Sequence, residues 1–221
     1  MTSDISLHVF TNCTINSPDT SMICRTVDSF TKQFGEFNTP VRIWCDRNPN
    51  IKTASAYHEN LTRVFGNTVK LTSSLSEGYK KAILMADTEY MFMLEHDWLV
   101  NPGTIKHSLD EIIGVMRDAN LYHFRFNKRE NKIAGWDVAL MECRDESAGL
   151  SYCISANMSN NPHIIHRGKY LDEVMFDIRT GTGSKGIEEE LNKTGKYFSA
   201  IYGRKGYQAT IKHMDGRRTR G

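Results

Sequence analysis

Two periods of hydrophobicity alternate along the first half of the chain. Ile5 to Phe10 is a nearly apolar run that reads as a buried strand, and it ends in a polar turn, Thr11-Asn12. Ser17-Pro18 then offers an N-cap followed by proline at the first helical position. Ile23, Val27, Phe30 and Phe34 recur at helical spacing until Gly35 stops the helix. Val41 to Cys45 predicts a second strand ending at Asp46-Arg47, Ala54 to Phe65 a weaker helix, and Thr68 to Leu71 a short strand. Ser74 with Glu77 carries the capping-box signature of a helix running to about Ala86.

Tyr90-Met91-Phe92-Met93-Leu94 is almost wholly apolar, as a strand covered on both faces must be. It stops abruptly at Glu95-His96-Asp97-Trp98. Asn101-Pro102 predicts the start of another helix, with Ile105, Leu109, Ile112, Ile113 and Met116 on its apolar face, and Tyr122 to Phe126 a further strand. Strands joined by helices predict an α/β fold with a mostly parallel central sheet flanked by helices. The second half is richer in Gly and Asn, and there Ile133 to Met141 and Ser151 to Ala156 read as strands of a mixed region. No repeat or low-complexity linker interrupts the chain, so residues 1–221 read as one domain.

Composition narrows this picture. With 221 residues, 39% of them hydrophobic, the chain can bury a sizeable core. The formal net charge is only +2, but it is uneven: from Arg204 to the end there are six Lys/Arg against Asp215, leaving 22 basic and 25 acidic residues, a net of −3, in the rest. A basic end on a near-neutral body suits either an anionic partner or a solvated tail. The five cysteines show no metal-clip or redox spacing and read as free thiols of a reducing compartment. No stretch approaches the roughly 20 apolar residues of a membrane span, and the N-terminus lacks a signal-peptide pattern. The expected location is cytoplasmic.

In an open α/β sheet, ligands bind beyond the carboxyl ends of the strands. Three strand ends carry polar residues suited to a nucleotide: Thr11-Asn12, Asp46-Arg47 and Glu95-His96-Asp97. The last places two carboxylates, one residue apart, at the mouth of an apolar strand. Burying both without a partner is costly. A hard divalent cation relieves that cost, and oxygen ligands favour magnesium or manganese over zinc.

The segment Ser76 to Trp98 resembles the part of GT-A glycosyltransferases that leads into their DxD motif: a helix, the turn Asp87-Thr88-Glu89-Tyr90, an apolar strand, then Glu95-His96-Asp97. Glu95 departs from the usual first Asp. Two later segments are similar to family signals in the same order. Gly186-Ile187-Glu188-Glu189-Glu190-Leu191 resembles the acidic start of a late helix that supplies the catalytic base of inverting members. Ile211-Lys212-His213-Met214-Asp215-Gly216 resembles the C-terminal histidine that completes the metal site.

The resemblance implies a GT-A fold, with residues 1–100 as the nucleotide-sugar-binding half and 101–221 as the acceptor-side half. It implies transfer of a sugar from a nucleotide-sugar donor, a UDP-sugar first, with Mn2+ or Mg2+ as cofactor. Asp97, His213 and Glu95 are the implied metal set, and Glu189, then Glu188, the implied base. Thr11, Asn12, Asp46, Lys81, Glu95 and His96 are the candidates for the donor. Trp98 either stacks on a sugar or packs against the next helix.

Small GT-A enzymes without an anchor resemble those of large viruses and phages as well as bacterial cell-surface enzymes. The acceptor is therefore a hydroxymethylated DNA base contacted by Arg217, Arg218 and Arg220, or a glycan or capsid protein. A nucleotidyltransferase is disfavoured because Thr11 to Asp19 lacks glycine for a triphosphate loop. His163-x-x-His166 does not match the helical zinc spacing. A non-catalytic nucleic-acid module leaves the acidic strand end unexplained.

Overall fold

The computed structural model describes residues 4–13, 17–37, 39–47, 50–135, 137, 139–180 and 186–214. Its first half alternates as the hydrophobic pattern requires. Strands β1 (Ile5–Asn12), β2 (Arg42–Asp46), β3 (Val69–Thr72) and β4 (Tyr90–Glu95) alternate with helices α1 (Ser21–Phe34), α2 (Ala54–Phe65) and α3 (Leu75–Met85). Then come β5 (Trp98–Val100), α4 (Leu109–Asp118), β6 (His123–Arg125), β7 (Leu140–Asp145), β8 (Leu150–Ser155) and β9 (His163–His166). A helical turn α5 (Arg167–Lys169) runs on irregularly to Asp177, and α6 (Ile187–Lys193), β10 (Ser199–Tyr202) and β11 (Ile211–His213) follow.

Nine strands form one sheet in the order β3-β2-β1-β4-β9-β6-β10-β8-β7, and β5 pairs with β11 in a second. The pairings β1–β2, β1–β4, β2–β3 and β6–β10 are parallel. β9 and β8 are antiparallel to their neighbours, so every other strand of the large sheet points the same way. The carboxyl ends of β1, β2, β4 and β6 therefore share one edge.

Side chains alternate faces along a strand. Leu7, Val9, Phe92 and Leu94 bury against α1, α2 and α4 in one core cluster, while Phe10, Met91 and Met93 join Tyr79, Ile83 and the helical elements after β9 in another. The polar positions inside β1 are matched: Ser6 Oγ bonds His8 Nε2 at 2.8 Å and Thr88 at 2.6 Å, and Trp44 Nε1 donates to His8 Nδ1 at 3.0 Å.

Helix ends follow the expected chemistry in part. Gly35, at φ 84°, ends α1 and donates to the Thr31 carbonyl. Ser74 accepts from the Glu77 N–H, while the Glu77 carboxylate reaches Ser73 rather than Ser74. Several expectations fail. The helix after β5 begins at Leu109, not Asn101, because Ser108 and Glu111 form a complete capping box; Ile105 is buried in the loop before it. Ile133 to Met141 is not a strand: Ile133 is exposed at a turn, and β7 starts at Leu140. The cysteines are free thiols. No helix among the described residues is long and apolar enough to cross a membrane.

Candidate active site

The shared sheet edge brings the three polar strand ends together. Asn12 pairs in register with Asp46, Asp46 with Thr72, and Phe10 with Glu95. Asn12, Asp46, Glu95 and His96 line one cleft there. Asn12 Oδ1 is buried with no hydrogen-bond partner among the described residues, so it is placed to receive a donor from a ligand. Burial, with the Glu77 charge adding, raises the Asp46 carboxyl above its usual range. Two donor candidates are engaged elsewhere. Thr11 is buried, its hydroxyl 2.5 Å from Tyr57. Lys81 pairs with Glu77 one turn back on α3 at 2.8 Å.

At the end of β4 the chain turns directly into β5, and β11 pairs antiparallel beside it, setting His213 opposite Trp98. His213 Nε2 lies 3.2 Å from Asp97 Oδ2, and the Met214 N–H donates to the Asp97 carbonyl at 2.7 Å. Asp97 Oδ1 is buried without a hydrogen-bond partner among the described residues. An orphaned carboxylate oxygen beside an imidazole is a donor set that fits a divalent cation whose remaining positions stay open to a ligand or water. No cluster of three His, Cys, Asp or Glu side chains poised for a metal occurs among the described residues. Burial pushes Glu95 up to about 7, with Asp97 and Glu188 adding and Lys128 opposing. Trp98 does not offer its face to an acceptor. It is buried at 5%, edge-on to His213 with centroids 4.5 Å apart, and Lys128 Nζ sits 5.9 Å over its ring.

The late acidic run sorts itself by partner. Glu189 pairs with Lys193 at 2.9 Å and Glu190 with Arg179 at 3.4 Å. Glu188, the second candidate from sequence, instead faces the loop Ser159-Asn160. Its Oε1 accepts from Ser159 Oγ at 2.6 Å and from the Asn160 N–H. It lines a cavity of about 170 Å³ with Arg125, Lys128, Arg129, Asp137 and Asn161.

The loop that grips Glu188 is itself pinned. His163 Nδ1 bonds the Asn161 carbonyl at 2.7 Å, and its Nε2 meets the Tyr79 hydroxyl of α3. His163 and His166, three apart on a strand, face opposite sides of the sheet, which removes any shared zinc. Sequence reasoning missed Ser159, His163, Arg125 and Lys128. The run Ser159-Asn160-Asn161-Pro162 signals a turn, but nothing local says what the turn holds. Arg217, Arg218 and Arg220 lie outside the described residues.

No protein-family model matches the chain, and no curated protein resembles it in sequence. Solved structures do resemble it. S. aureus TarS 1-349 superposes with a TM-score of 0.55 at 15% identity, over 96% of this chain and 60% of that one. The same fragment in complex with UDP-GlcNAc gives 0.51 at 11% identity, over 98% of this chain and 62% of that one. GalNAc-T7 with UDP, GalNAc and Mn2+ gives 0.52 at 12% identity, over 93% and 45%. This chain thus spans less than two thirds of the length of each. The sheet order, the flanking helices and these superpositions together establish that the chain has the GT-A fold.

Proposed function

We propose that the protein is a metal-dependent glycosyltransferase that moves a sugar from a UDP-sugar to an acceptor hydroxyl with inversion. The observation that carries this is the Asp97–His213 pair just beyond the carboxyl end of β4, with Glu188 of the late helix near enough for its charge, like that of Asp97, to act on Glu95. The resemblance to structures solved with UDP-GlcNAc, and with UDP and Mn2+, supports the donor and the metal.

Asp97 and His213 would hold the Mn2+ or Mg2+, which when bound neutralises charge on the donor diphosphate. Asn12, Asp46 and His96 border the cleft where the nucleoside would lie. Glu188 takes the acceptor proton while the acceptor oxygen attacks the anomeric carbon and the bond from that carbon to the diphosphate breaks. Ser159 and Asn160 fix the carboxylate at Oε1, leaving Oε2 to receive that proton. Glu189, first choice from sequence, is replaced in this role because it is paired with Lys193.

Release of UDP from UDP-sugars, measured with and without Mn2+, tests the proposal. The expected result is metal-dependent UDP release. Failure to turn over any UDP-sugar in Mn2+ would refute it. The hydroxymethylated-DNA acceptor rests on Arg217, Arg218 and Arg220 and gains no support from the described residues.

A further inference from the structure

The cavity in front of Glu188 is lined by cations whose charges are unequally matched. Arg125, buried at the end of β6, meets the Asp137 carboxylate and donates to Ser199 at 3.0 Å. Arg129 approaches the other oxygen of that carboxylate at 3.7 Å. Two guanidinium groups thus share one carboxylate, and the Glu188 carboxylate on the same lining matches the charge left over. Lys128, which lies over Trp98 and makes no ion pair among the described residues, leaves the lining one positive charge in excess. Glu130 does not offset that charge, because it pairs with Lys132 at 3.6 Å.

Arg129 is also held in place. It donates to the Ala134 carbonyl and lies across Gly135, where a Cβ would stand 2.9 Å from its Nη2; Gly135 has φ +61°. A guanidinium positioned before the ligand arrives loses little rotamer freedom on binding, and its planar fork matches phosphate and carboxylate oxygens. The buried Asn161 completes the wall next to Glu188.

We propose that this cavity binds an acidic group of the acceptor, a phosphate or a carboxylate, through Arg129 and Lys128, and so presents a neighbouring hydroxyl to Glu188. The acceptor is then a hydroxyl compound that carries an acidic group, an inference that rests on Glu188 being the base. At about 170 Å³ the cavity suits one sugar-sized unit and not a duplex.

Binding of glucose 6-phosphate, glucuronate and glucose is measured by calorimetry, with and without UDP, for the wild type and for Arg129→Gln, Lys128→Gln and, as a control on the exposed end of α1, Lys32→Gln. The acidic probes should bind at least about tenfold tighter than glucose, the scale of one well-placed charge. The stronger of the two tells phosphate from carboxylate. Arg129→Gln and Lys128→Gln should each close most of the gap, and Lys32→Gln should keep it. Equal binding of all three probes overturns the proposal, as does a gap that survives both Arg129→Gln and Lys128→Gln. Duplex DNA that binds tighter than glucose 6-phosphate and is indifferent to Arg129→Gln also overturns it. Transfer that survives Glu188→Gln would sink the base assignment and leave the binding result standing, so the two failures are distinguishable.

Discussion

Ser159 Oγ donates to Glu188 Oε1 at 2.6 Å, and the neighbouring Asn160 N–H donates to the same oxygen. That double grip separates one glutamate from the two that follow it. Glu188→Gln should lower turnover by at least about a hundredfold, the scale of losing a general base. Glu189→Gln should stay within about threefold, because removing an exposed pair with Lys193 costs little. Steady-state kinetics on both variants decide it; a dead Glu189→Gln beside an active Glu188→Gln reverses the assignment. Ser159→Ala should fall between them.

The metal has its own readout. Mn2+ should raise the thermal unfolding midpoint of the wild type, since a ligand that binds only the folded state stabilises it by mass action. Asp97→Ala and His213→Ala should each abolish that shift, and chelator should abolish turnover. A Mn2+ shift that persists in both variants would place the ion elsewhere.

Much of the scaffold was legible in the sequence because burial on both faces leaves a plain signal. β4 and its acidic end, and α3 with its Ser74 cap, stand close to where the pattern put them. Short elements gave no such signal. β9, β10 and β11 have three or four residues, and their buried Ser199 and His163 break the apolar run that would have marked them. Asn101-Pro102 carries a helix-start signal, but the stronger one, the capping box Ser108-x-x-Glu111, lies seven residues on. In the proposed site, Asp97 and His213 are indicated by order along the chain. The choice among three consecutive glutamates is not, because it depends on Ser159, which reaches Glu188 only through folding.

The buried histidines should make the fold acid-sensitive. Burial lowers His8 from 6.5 to about 3 and His163 to about 4. In His8 the Arg42 charge adds to burial, and Nδ1 already accepts the Trp44 Nε1–H at 3.0 Å. A lowered folded value means that the unfolded chain binds the proton more readily. The stability is therefore full above about pH 6.5, the unfolded value, and is lost as pH falls from there toward 4 and 3. Each histidine contributes a slope of at most about 1.4 kcal/mol per pH unit. Urea unfolding at pH 7.5, 6.5, 5.5 and 4.5 should show stability nearly level between the first two and falling after them. A level profile down to pH 4.5 would contradict it.

Gly203 and Gly149 offer a matched pair of backbone tests. Both have positive φ, +89° and +65°, where an alanine is strained by roughly 1–2 kcal/mol. A Cβ on Gly149 would meet open space, whereas one on Gly203 would overlap the Tyr207 ring. Tyr207 cannot retreat freely. Its hydroxyl donates to the Thr104 carbonyl at 2.6 Å, and its own carbonyl accepts from the Asn131 N–H at 3.1 Å. Asn131 in turn donates through Nδ2 to the carbonyls of Tyr202 and Gly203. The clash therefore adds an overpacking cost of about 1–3 kcal/mol to the strain. Gly149→Ala should lower stability by no more than about 2 kcal/mol, and Gly203→Ala by roughly 2–5, measured by urea unfolding. Because Asn127, Lys128 and Arg129 lie on the segment tied to Tyr207, Gly203→Ala should also weaken acceptor binding, while Gly149→Ala should not. Equal stability losses in the two variants would mean that the loop yields to the added methyl, and that Tyr207 does not brace the acceptor wall.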